Sequence, residues 1–329
     1  MKAKAPGKLI LSGEHSVVYG APAIAFAVDN FVTATFSPDH SGQISIETDR
    51  VGRFHASLNE IDQLSLKLDE RYERFIEEEI AVTDLLASPG ELIFYSLSKF
   101  PSIQGGRISI TSTIPVGSGM GSSAAVIAAT LKLAESISEV TLPSLYAFAE
   151  QVRYCERLQH GRGSMIDAAA TTFGGAVRVQ GEVVEPLQLS LGSGWYRCHT
   201  GEPDGSTGEV VAEVRRRHQK SDIWSEFSDI AARWTQGLSH SEIVELVRQN
   251  HRLLNCIGVV PEKVRVLISE VERMGGAAKI CGAGAVKGEK AGTVLVYLPE
   301  LFSSQAVQAL GIELIPLQQV NQGAHLAKD

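Results

Sequence analysis

Hydrophobic and polar positions change period several times along this chain, and each change marks an element. Residues 23–36 are rich in β-branched and aromatic residues, with Asp29 as their one charge, which predicts a strand. Together with the apolar opening of the chain they make two strands around a loop, and residues 43–58 predict further short alternating strands. Residues 61–87 scatter apolar positions among many charges, the pattern of an exposed helix or lid. A helix starts at Pro89 and Gly90, and Ile108 and Ile110 alternate with polar neighbours as in a half-buried strand over 107–114. A glycine-rich loop follows, then helical apolar spacing over 122–139 with Ser122 and Ser123 placed as N-caps.

Further on, a helix is predicted over 141–160, with Pro143 in its first turn and Gly161 at its end. A short helix over 164–173 stops at Gly174 and Gly175, strands resume at Ala176, and a polar, glycine-rich loop covers 201–208. Ser239 and Glu242 form a capping box ahead of Ile243, Leu246, Val247 and Leu254. One more helix over 261–274 precedes strands at 278–281 and 293–298, separated by a second glycine-rich segment. Strands and helices mix without a regular βαβ repeat, so the expected class is α+β. The 329 residues suit two domains, expected at 1–185 and 186–329.

Composition narrows the functional classes. Hydrophobic residues make up 44% and charged residues 21%, and no apolar run approaches the ~20 residues of a membrane helix. The opening residues read as structure rather than as a leader, so a cytoplasmic protein without membrane partner is expected. Cys155, Cys198, Cys256 and Cys281 show no C-x-x-C pairing and read as free thiols of a reducing compartment. A net charge of −8 argues against nucleic acid and requires a local positive site for any anionic substrate.

Candidate chemistry begins in the loop Pro115-Val116-Gly117-Ser118-Gly119-Met120-Gly121-Ser122-Ser123. Glycines let backbone approach an anion closely, and a helix start offers unpaired N–H groups, so this is either a phosphate cradle or a plain strand-to-helix turn. Its spacing is neither the dinucleotide fingerprint nor a Walker loop, and it contains no lysine. Lys8 follows Ala5-Pro6-Gly7 and reads as a strand-end lysine or a site cation. Glu14 and His15 sit in a glycine-flanked bend, Asp167 stands three residues after Ser164 at a helix start, and Glu156 lies among arginines. Each has an ordinary structural account: a local hydrogen bond, a helix-dipole partner, an ion pair along a helix. Gly282, Ala283 and Gly284 make a second glycine loop, either a hairpin turn or a backbone that contacts the first loop.

Taken together, three segments resemble the three motifs of the GHMP small-molecule kinases, in the family's order and spanning nearly the whole chain. They are Ala5-Pro6-Gly7-Lys8 through Gly13-Glu14-His15 to Gly20, the loop from Pro115 to Ala125, and Lys279-Ile280-Cys281-Gly282-Ala283-Gly284. The resemblance implies two α+β domains with an active site in the cleft between them. It implies ATP held by Pro115, Gly117, Ser118, Gly119, Met120, Gly121, Ser122 and Ser123, with Mg2+ on Ser123 and Glu156. It implies Asp167 facing the acceptor hydroxyl and Lys8 beside both Asp167 and the transferring phosphoryl. Glu14, His15, Thr207, Gly282, Ala283 and Gly284 match positions near the acceptor. The implied acceptor is the primary hydroxyl of mevalonate; the alternatives are a phosphorylated mevalonate, a sugar or another small alcohol, or a ligand sensor without transfer. A homodimer is left open.

Four departures from the family pattern bear on the acceptor. Gly163 replaces a proline, Met165 replaces a small residue beside Asp167, and Lys287, Glu289 and Lys290 interrupt the third motif's glycines. The segment around Thr207 lacks an arginine, and Arg162 is the candidate to meet a substrate carboxylate instead.

Overall fold

The computed structural model describes residues 1–39, 41–298 and 312–327. Strand β1 (Lys2–Ser12) runs antiparallel to the long β2 (Ala23–Pro38), with the register shifting between Pro6 and Gly7. Proline has no N–H to give to a ladder, which is where such an irregularity is tolerated. The hairpin β3 (Gln43–Thr48) and β4 (Gly52–Ser57) joins the same sheet through β5 (Gly106–Ser112), the β3–β5 pairing being parallel. Between β4 and β5 come α1 (Leu58–Ile76), opened by a Ser57–Glu60 capping box, and α2 (Pro89–Leu97). The charged 61–87 stretch is therefore α-helical only as far as Ile76, with a single 3-10 turn at Val82–Asp84.

Helix α3 (Ser122–Ser138) lies against β1 and β2 and is apolar on most sides, with Ala124, Ala125, Ala128 and Ala129 fully buried. Such a helix belongs in an interior, and its alanines allow close approach to the sheet. Its N-cap is Gly121 in the left-handed region, so Ser122 and Ser123 are first-turn residues rather than caps. Helix α4 (Leu145–His160) is capped by Ser144, so it starts four residues after the expected 141 and excludes Pro143, and it ends at left-handed Gly161. Helix α5 (Met165–Phe173) is capped by Ser164. β6 (Ala176–Gln180) pairs with β2, and β7 (Val183–Leu187), which contains residue 185, pairs with β6.

A second, antiparallel sheet has the order β11-β8-β10-β9: Ile315–Pro316, Trp195–His199, Thr293–Tyr297 and Ala277–Ile280. Among the described residues, four helices accompany it: α6 (Thr207–His218), α7 (Ile223–Arg233), α8 (His240–Cys256) and α9 (Glu262–Arg273). The chain then returns to the first sheet, where β12 (His325–Leu326) pairs with β1. Among the described residues no helix is long and apolar enough to cross a membrane.

Alternation along β1 decides what faces what. Leu9 and Leu11 enter the main core, whereas Ile10 joins a smaller apolar cluster with Met165 and Ile166 of α5. Lys8 shares the face of Ile10, and so it points toward the start of α5.

Candidate active site

The first turn of α5 carries Asp167, whose Oδ1 lies 2.9 Å from Lys8 Nζ. Lys8 is buried and also donates to the Gly119 carbonyl at 3.0 Å. The glycine loop docks on the same strand, Met120 O accepting from the Lys8 amide at 2.9 Å. Gly117, Gly119 and Gly121 all have positive φ, 62°, 72° and 69°, so the loop reverses direction at alternate residues as only glycine does without strain. No side chain caps the start of α3, and Gly121 at that start packs on the Lys8 side chain.

From α4, Glu156 reaches the same place. Only 1% of it is exposed; Oε1 accepts from Ser123 Oγ at 3.0 Å and Oε2 from the Ser164 amide at 3.0 Å. His160 Nε2 lies 3.3 Å from Ser123 Oγ. Burial, and then the charge of Asp167, push the Glu156 carboxyl up to about 8. Burial holds His160 below its ordinary value. Two carboxylates thus face one ammonium in a desolvated corner, alongside a serine hydroxyl. Hard oxygens short of positive charge fit Mg2+, which binds through one or two protein ligands plus phosphates and waters.

Residues 91–175 match the family described as GHMP kinases N terminal domain. Over 301 residues the chain is 32% identical to the mevalonate kinase of Pyrococcus abyssi, covering 86% of this chain and 85% of that one. The mevalonate kinase of Archaeoglobus fulgidus is 31% identical over 317 residues, 91% of this chain and 97% of that one. The chain belongs to the GHMP kinase family. Its fold matches the crystal structure of the Methanococcus jannaschii mevalonate kinase with a TM-score of 0.81 at 21% identity, covering 98% of each chain. It is accordingly an ATP-dependent small-molecule kinase, α+β, with the family's fold.

Where this GHMP kinase departs from its family's motifs, packing explains two of the changes. A β-carbon at Gly163 would overlap the Arg153 carbonyl oxygen of α4, so the close approach of α4 requires glycine. Met165 is buried in the apolar cluster with Ile10, Ala25 and Val179.

The remaining expected residues fall in different places. Glu14 is directed inward, where its carboxylate pairs with the fully buried Lys279 and accepts from Asn250 Nδ2 at 3.3 Å. Lys279 also donates to Ile10 O and Ile280 O, both at 3.0 Å, and Ser12 Oγ donates to Asn250 Oδ1 at 3.0 Å. His15 Nε2 meets Ala283 O at 2.9 Å, which binds the first motif to the third. The Gly282 backbone packs on Gly119, so the second glycine loop supports the first. The turn 16–19 is clamped from α7, Tyr19 stacking on Trp224 with ring centroids 4.0 Å apart. Thr207 is the exposed first residue of α6, and Arg162 is exposed with no ion pair among the described residues. Sequence reasoning gave no role to Lys279, Asn250, His160 or Trp224. Lys279 alone carried a signal, as a lysine inside an otherwise apolar strand.

Proposed function

We propose that this kinase transfers the terminal phosphoryl of ATP to the primary hydroxyl of mevalonate. The observation that carries the reading is the Lys8–Asp167 pair, 2.9 Å apart, set directly under the glycine loop and the uncapped start of α3. Phosphoryl transfer passes through a loose transition state, so alignment and charge neutralisation do most of the work. Residues 115–123 hold the triphosphate through backbone N–H groups. Asp167 orients the acceptor hydroxyl and takes its proton late, as the bond to phosphorus forms; an ordinary carboxylate is too weak a base to ionise an alcohol beforehand. Lys8 stabilises charge on the acceptor oxygen and on the phosphoryl group. Ser123 and Glu156 would hold Mg2+, which supplies charge neutralisation across the phosphates.

Mevalonate is favoured by the names of the relatives, and packing gives the departures at Gly163 and Met165 a structural reason. Arg162, next to the start of α5, is our candidate for the mevalonate carboxylate. We also take the change of sheet after β7 as the domain boundary, near residue 185. A coupled ADP-release assay with mevalonate, phosphomevalonate, sugars and homoserine tests the reading. ADP release with mevalonate is expected, and turnover of sugars or phosphomevalonate alone would overturn the acceptor.

A further inference from the structure

The glycine loop has no lysine of its own, and the cations around it are already engaged. Lys8 is shared between Gly119 O and Asp167. Arg50, in the β3–β4 turn, donates to Ile114 O at 2.5 Å and to Ser112 O at 2.7 Å. In a chain of net charge −8, a triphosphate needs further positive charge close by.

Two loops of the second sheet close over the far side of the glycine loop. The stretch 200–205 after β8 and the stretch 286–292 before β10 are fastened together by backbone: Thr200 N–H to Gly292 O at 2.8 Å and Gly292 N–H to Gly201 O at 3.0 Å. The Asp204 carboxylate lies on Gly288, and the stem of Lys290 lies along Gly201, where a β-carbon would stand 2.7 Å from Lys290 Cδ. This clasp rests on the glycine loop. Thr293 N–H donates to Ser118 O at 3.1 Å, and a β-carbon on Gly117 would stand 2.5 Å from Glu202 Cγ. Lys290 is exposed and has no ion-pair partner among the described residues, whereas the neighbouring Glu289 is paired with Lys263. Lys290 stands where the family's third motif has glycines, so this cation belongs to this chain's own version of the motif.

We infer that Lys290 is a nucleotide-positioning residue whose ammonium meets the phosphates at the Gly117 end of the loop, opposed there by the Glu202 carboxylate. The inference rests on the reading that residues 115–123 hold the triphosphate. Transfer takes place at the other end, where Gly121 packs on Lys8 and Lys8 meets Asp167. Lys290 therefore reaches phosphates that stay on ADP. A contact equal in the ground and transition states lowers KM and leaves kcat alone.

The test compares Lys290→Ala, Lys290→Arg, Glu202→Gln and Gly119→Val by calorimetric ADP binding and by steady-state kinetics. Lys290→Ala is expected to weaken ADP binding and raise the KM for ATP roughly 5- to 20-fold, with kcat at saturating ATP and the acceptor KM retained. The effect shrinks as salt rises. Lys290→Arg restores most of the affinity, and Glu202→Gln tightens ADP about 2- to 5-fold. Unchanged ADP affinity in Lys290→Ala, with binding lost in Gly119→Val, overturns the inference alone. Unchanged affinity in Gly119→Val as well overturns the glycine-loop reading beneath it.

Discussion

The first motif contributes to two lysine–carboxylate pairs with opposite characters. Lys8 meets Asp167 at the edge of a space, with 20% of the Asp167 side chain exposed and the glycine loop opening beside it. Glu14 meets Lys279 with 1% and 0% exposed, and the pair itself is further engaged by Ile10 O, Ile280 O and Asn250. A pair with an open side keeps charge available to a ligand. A sealed, saturated pair instead ties together the segments that carry it, here the loop after β1, α8 and β9. On the proposed reading, identical chemistry yields a reaction centre in one place and a fastening in the other, and solvent access separates them.

Removing the proposed reacting carboxylate tests the first half of that contrast and carries the largest expected effect. Asp167→Asn should lower kcat by about three orders of magnitude or more while calorimetric ATP binding persists. Near-normal turnover would take Asp167 out of the mechanism.

Breaking the sealed pair should act on stability instead. Lys279→Met leaves Glu14 buried without its cation and should destabilise the fold by about 3–5 kcal/mol in a denaturant melt. Adding Glu14→Gln should recover much of that loss, because the unpaired charge rather than the missing contact is responsible. A Lys279→Met protein with unchanged stability and reduced kcat would place that lysine in the reaction centre after all.

A pH series sharpens the comparison at Glu156. Its folded value, about 8, lies above the ordinary 4.5, so its protonated form is favoured in the fold. The stability it contributes to the ligand-free chain is full below about 4.5 and is lost as pH rises through about 8. Relative to Glu156→Gln, the wild type should lose at most about 1.4 kcal/mol per pH unit across that window. Mg2+ with nucleotide should flatten the slope, and parallel stability curves for the two proteins would contradict the assignment. The smallest expected change is at the rim: Arg162→Ala should raise the acceptor KM about 3- to 10-fold and leave ATP binding intact. An unchanged acceptor KM would free Arg162 from any role in carboxylate recognition.

Much of the secondary structure was legible because its signals are local. The Ser239–Glu242 box, the terminal Gly161 and the short helix stopped at Gly174 all stand where their patterns place them. Misplaced starts have local causes too. A left-handed Gly121 took the cap position that two serines suit by type, and Ser144 displaced Pro143. Residue types and motif order had singled out Lys8, Asp167, Glu156 and Ser123, which the fold brings together, but could not assign Glu14 to a buried network or Met165 to a core.

By itself the sequence determined the chain's local geometry and its membership: alternating glycines that let a loop fold back on itself, and three motifs in the order of one kinase family. Tertiary structure alone decided which charged groups are sealed and which remain open. That outcome depends on which face of β1 each side chain takes and on what packs against it from distant elements. Burial and solvation are properties of that assembled environment, so identical lysines and carboxylates acquire different work only once the chain has closed around them.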